Sequence, residues 1–107
     1  MSKIEFENNG STYTLEFDRR SAEIAERSLG ISLTEILNGK VTYFPALFHA
    51  AFLKHHQKIK PGKVKRLFAA MENKDKLFEA LTGMYAETVS TLMDDPEEGK
   101  AQSWKVL

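Results

Sequence analysis

Two alternating runs around an Asn-Gly pair open this chain: Lys3-Ile-Glu-Phe-Glu7, then Asn8-Asn9-Gly10, then Ser11-Thr-Tyr-Thr-Leu-Glu-Phe17. No other feature constrains the fold as strongly. In a strand, Ile4 and Phe6 share one face while Lys3, Glu5 and Glu7 take the other. On the return run Tyr13, Leu15 and Phe17 share a face, opposed by Thr12, Thr14 and Glu16. Asn9 and Gly10 are the residues that best tolerate the positive φ of a tight hairpin turn. The pattern predicts an antiparallel hairpin over about 3–7 and 11–17. A lone hairpin is marginal in water, so its apolar face (Ile4, Phe6, Tyr13, Leu15, Phe17) requires cover from helices or a second subunit.

The remainder reads as helical. Asp18 is placed to cap a helix over about 19–29, ended by Gly30. Ser32-Leu-Thr-Glu35 fits a capping box opening a short helix, about 32–38, with Leu33, Ile36 and Leu37 apolar and Asn38-Gly39 as its stop. Val41 to Leu53 is the most apolar stretch: Phe44, Leu47, Phe48, Ala51 and Phe52 recur at helical spacing, and Pro45 belongs in a first turn. This predicts a central helix over about 43–56. After the break at Lys60-Pro61-Gly62, helices are expected over about 62–72 (Val64, Leu67, Phe68, Met71) and 74–93 (Leu77, Phe78, Leu81, Met84, Tyr85, Val89, Leu92). A polar tail over 94–107 follows. Gly83 falls inside the last helical pattern, where it marks a kink, a close helix approach or a merely tolerated residue. The expected fold is mainly helical α+β: one hairpin, four to five helices and, at 107 residues, one domain.

Composition narrows the function classes. Fifteen basic residues balance fifteen acidic ones, so no global field favours nucleic acid or an anionic membrane, and self-association is tolerated. There is no cysteine, which removes disulfides, thiolate chemistry and Cys-based zinc sites. No signal-peptide pattern and no membrane-length apolar run are present, so a cytoplasmic location is expected.

The candidate chemical sites are weak. His49, His55 and His56 lack the spacing of three or four that places two ligands on one helical face, so no metal is expected; His55 and His56 suit the C-terminal end of a helix as cations. Lys54, Lys58, Lys60, Lys63, Lys65 and Arg66 form a basic stretch, but it straddles a Pro-Gly turn and no aromatic interleaves it. Asp94, Asp95, Glu97 and Glu98 lack calcium-loop spacing. No nucleophile elbow, phosphate loop or dinucleotide fingerprint is present. Neither an enzyme nor a cofactor is expected. The third helix carries apolar residues around more than half its circumference, which leaves two readings open: core alone, or core plus an interface.

Several segments carry a resemblance: Ile4-Glu-Phe6, the Gly10 turn, Tyr13-Thr-Leu-Glu-Phe-Asp-Arg-Arg-Ser21, Pro45-Ala-Leu-Phe-His-Ala-Ala-Phe-Leu-Lys-His-His56, Met84-Tyr-Ala-Glu-Thr88 and Thr91-Leu-Met-Asp-Asp-Pro-Glu-Glu98. Together they resemble tail assembly chaperone-like proteins encoded in the tail modules of long-tailed phages and prophages of Gram-positive bacteria. The resemblance implies binding to the phage tape measure protein, whose long apolar helices would otherwise aggregate, and absence from the finished virion. In many such phages a ribosomal frameshift adds a C-terminally extended form. The expected partner-binding residues are Tyr43, Phe44, Phe48, Phe52, Leu53, Lys54 and Lys58 on and after the third helix, with self-association expected and no nucleic acid or membrane partner. Two rival readings are a tail-completion or connector protein of the virion, and a small DNA-binding regulator using residues 54–66.

Overall fold

A computed structural model describes residues 3–93 and 99–107. The architecture is mainly helical α+β: an antiparallel hairpin, β1 (Ile4–Asn8) and β2 (Ser11–Leu15), followed by helices α1 (Arg19–Ser28), α2 (Leu33–Leu37), α3 (Phe44–Phe52), α4 (Pro61–Ala70) and α5 (Lys74–Ser90). Short 3-10 turns at Val41–Tyr43 and Thr91–Met93 precede α3 and follow α5. Asn9 and Gly10 both take positive φ, +50° and +82°, the geometry that lets a two-residue turn follow the twist of its strands. The register pairs Ile4 with Leu15 and Phe6 with Tyr13, which keeps the apolar residues on one face.

Side-chain N-caps set the starts of α1 and α2. The full reciprocal box forms at α1: the Ser21 N–H donates to Asp18 Oδ1 and the Asp18 N–H donates to Ser21 Oγ, each at 2.8 Å. At α2 only half a box forms. Ser32 Oγ accepts from the Glu35 N–H, while the Glu35 carboxylate turns to Lys40 Nζ at 2.7 Å. Helix α4 ends two residues short of expectation, and Lys74 Nζ donates to the carbonyls of Ala69 in its last turn and of Met71, its C-cap.

The largest difference lies at α3. It was expected to reach His56 and stops at Phe52, because the chain there turns to engage the hairpin. β2, expected to continue to Phe17, leaves the ladder at Leu15 for the same reason. The Glu16 N–H donates to the Ala51 carbonyl at 2.9 Å, and the Thr14 N–H donates to His56 Nε2 at 3.0 Å. The outer edge of β2 is thereby sealed by the end of a helix rather than by another strand.

Helix α3 is the centre of the core. It packs against β2, α1, α4 and α5, and six of its nine residues are buried. Its three phenylalanines form a spine of ring contacts. Phe52 meets Phe6 and Tyr13 of the hairpin, Phe48 meets Phe52 and Phe68, and Phe44 meets Phe68 and Phe78, with centroids 4.8 to 6.2 Å apart. Phe17 closes the other side edge-on against Tyr85 at 5.3 Å.

Candidate partner-binding surface

The burial of α3 changes which of its residues can meet a partner. Phe44 is 7% exposed and Phe48 and Phe52 are fully buried, so these three belong to the core and present no surface. A single helix hides so much apolar area because protein surrounds it on four sides. Tyr43 and Leu53 are half-buried at opposite ends of α3, and Lys40 Nζ lies 5.8 Å from the Tyr43 ring centroid.

The surface that α3 does leave open is a groove against α4, about 400 Å³, lined by Leu29, Pro45, Ala46, His49, Val64 and Phe68, with Pro61 and Lys65 at its border. Its walls are almost entirely apolar. Pro45 and Ala46 come from the first turn of α3, and Val64 and Phe68, four apart, come from one face of α4. His49 sits among these apolar groups, and burial lowers its pKa, so the ring is neutral at physiological pH. Of these residues, the sequence placed Pro45 in a first helical turn and Val64 and Phe68 among the apolar positions of the fourth helix, and it named His49 only as a rejected metal ligand and Lys65 only as part of the basic stretch; none was expected to meet a partner.

Leu53, Lys54 and Lys58 are brought together elsewhere, in a cleft of about 330 Å³ with Asp18, Arg20 and Ile24 at the start of α1. Lys54 is already engaged there: its Nζ lies 2.8 Å from Glu16 Oε2, and His55 Nε2 lies 2.8 Å from Glu16 Oε1. Hydrogen bonds from Lys54 and then His55 hold the Glu16 carboxyl down at about 2. His56 also departs from expectation. To accept the Thr14 N–H its Nε2 must be unprotonated, so it acts as a neutral acceptor rather than as a helix-end cation. Burial, followed by the neighbouring His55, lowers its pKa.

The basic stretch gains an aromatic neighbour that its own sequence lacks. Lys58, Lys60 and Lys63 surround an open pocket of about 430 Å³ with Tyr13, His56 and Ile59, and Lys63 Nζ lies 5.6 Å from the Tyr13 ring centroid. Among the described residues no three His, Asp or Glu side chains are grouped to hold a metal ion. The acidic cluster Asp94, Asp95, Glu97 and Glu98 lies outside the described residues. No helix among the described residues is long and apolar enough to cross a membrane.

Fold and surface together define a small, mainly helical α+β protein with an apolar groove between two helices. The chain belongs to the family described as domain of unknown function (DUF5055), whose model matches residues 1–107. No curated protein and no solved structure matches it.

Proposed function

We propose that this protein is a tail assembly chaperone of a phage or prophage of Gram-positive bacteria, acting in the host cytoplasm to keep the tape measure protein soluble while the tail is built. The observation that carries the reading is the apolar groove between α3 and α4. Its length is set by the turn from Pro45 to His49 and the turn from Val64 to Phe68, a shape suited to the apolar face of one amphipathic helix. The segments quoted above as resembling tail-module chaperones supply the kind of helix. A holdase needs no catalytic group, only apolar surface that exchanges with its client. Lys65 at the border adds a positive charge that favours a client helix with acidic flanks.

The test is co-expression with the tape measure protein of the same tail module. The tape measure protein is expected in the soluble fraction with the wild-type chain and in the pellet with Ala46→Glu, which places a carboxylate in the groove. Equal insolubility with and without the wild-type chain refutes the proposal. Finding the protein in purified particles by mass spectrometry refutes it in favour of a virion component.

A further inference from the structure

The zero net charge of the chain hides a segregation of charge along it. Between Glu35 and Glu72 there is no acidic residue, so every Asp and Glu that balances Lys54 to Arg66 lies elsewhere in the sequence. The fold gathers part of this basic segment in one place. The cleft at the start of α1 and the pocket of Tyr13, His56 and Ile59 share Lys58 as a lining residue, and therefore adjoin. Arg20 and Lys54 belong to the first, Lys60 and Lys63 to the second. Among the lining residues and their ion-pair partners the acids are Asp18 and Glu16. Glu16 is taken by Lys54 and His55, and Asp18, although it caps α1, still offsets one cation. An excess of three positive charges remains. Arg20, Lys58, Lys60 and Lys63 are exposed and make no ion pair with another described residue.

The rest of the lining selects the kind of anion. Ile24 and Leu53 lie among the cations of the first cleft and Ile59 among those of the second. Aliphatic groups suit the apolar side chains of a peptide. A single-stranded nucleic acid instead needs open aromatic faces on which its bases stack. Tyr13 is 6% exposed, covered by Phe6, Phe52 and Lys63, and His56 is half-buried against Tyr13 and Phe52, so neither offers such a face. His56 does supply a donor. Because its Nε2 accepts the Thr14 N–H, the ring proton sits on Nδ1, which has no acceptor among the described residues.

We propose that the two clefts together bind one acidic segment of a partner protein, with its carboxylates on Arg20, Lys58, Lys60 and Lys63 and its aliphatic side chains over Leu53 and Ile59. Charge complementarity of this kind speeds encounter and discriminates against neutral and basic partners. The site shares no lining residue with the α3–α4 groove and does not depend on the tape measure reading.

The probe is a fluorescein-labelled peptide of repeated Glu-Glu-Leu units, titrated with the full chain and followed by fluorescence anisotropy. Binding at low salt is expected, weakening as salt is raised because the cations are exposed. Lys58→Glu with Lys63→Glu should raise the dissociation constant about tenfold or more, while Lys76→Glu with Lys105→Glu, the same change of charge outside the clefts, should leave it within about twofold. All four lysines are exposed, so neither pair of changes disturbs the core. A peptide with serine in place of leucine should bind more weakly. No binding at low salt overturns the proposal. Equal losses in the two double variants also overturn it, as a response to net charge alone, and so does a serine peptide that binds as well as the leucine one. Tighter binding of an oligothymidylate of equal charge overturns it in favour of nucleic acid. Binding that appears only once Asp94, Asp95, Glu97 and Glu98 are replaced by their amides overturns it by giving the clefts to the chain's own acids.

Discussion

His56 shows how one side chain can tie two distant parts of the chain together. Its ring accepts the Thr14 N–H across 42 residues and touches the Tyr13 and Phe52 rings. Because its folded pKa lies below the ordinary 6.5, the unfolded chain takes up the proton first as pH falls. Stability from this bond is therefore complete above pH 6.5 and is lost as pH drops below that value. His49, lowered by burial, acts in the same direction. Urea midpoints measured between pH 8 and pH 5 should fall, and His56→Gln should flatten part of that fall; an unchanged slope would mean that the ring is not the acceptor. Glu16 adds a separate acid transition, its contribution being lost as pH falls from 4.5 towards 2. Tyr85 is the opposite case. Its hydroxyl is buried with no hydrogen-bond partner among the described residues, and burial with the Glu26 charge pushes it up to about 12. Tyr85→Phe should leave stability unchanged or raise it by up to about 1 kcal/mol, since it removes an unpaired polar atom from the core. A loss of more than that by chemical denaturation would show that the hydroxyl has a partner.

Among the elements, α5 and α3 illustrate two meanings of an unusual residue within a helix. Gly83 had three readings from sequence: a kink, a close approach or tolerance. The helix is continuous from Lys74 to Ser90 and a Cβ at Gly83 has open space, so tolerance is the one that stands. Gly83→Ala is expected to stabilise by about 0.5–1 kcal/mol, the gain from removing backbone freedom in the unfolded chain. A denaturation midpoint that falls instead would reveal a need for glycine at that position. The turn from α4 to α5 depends on Asn73, which holds a left-handed φ of +52° immediately before α5. Asn tolerates that region better than other side chains, so Asn73→Ala should cost about 1 kcal/mol and Asn73→Gly should cost little. The periodicity of α3 was legible, but its end was not: the pattern through Lys54-His-His56 gives no sign that the hairpin takes over the Ala51 carbonyl.

Over the whole molecule, the hairpin and the helices depend on one aromatic core, with Phe48 at its middle and fully buried. Phe48→Ala should cost about 3–5 kcal/mol. Far-UV and near-UV circular dichroism should lose their signals together, because Phe48 is packed to both the hairpin-facing Phe52 and the α4 residue Phe68. The phenylalanines that looked available to a partner are this core, and the available surface is a groove whose walls come from Leu29, Pro45 and Phe68. That distribution explains why the groove could not be found by scanning windows. No short segment contains it, and each contributor taken alone is an unremarkable apolar residue. What the sequence determined by itself was local: the Asn-Gly turn, the Asp18 cap, the Gly30 and Gly39 stops, and the two periodicities that separate strands from helices. These follow from φ preferences and hydrogen bonds between near neighbours, which act over a few residues. Tertiary structure alone decided which apolar side chains face inward, where α3 ends, and that His56 is an acceptor rather than a cation. Those outcomes depend on contacts such as Thr14 with His56 and Phe44 with Phe78, which exist only once the chain has closed on itself.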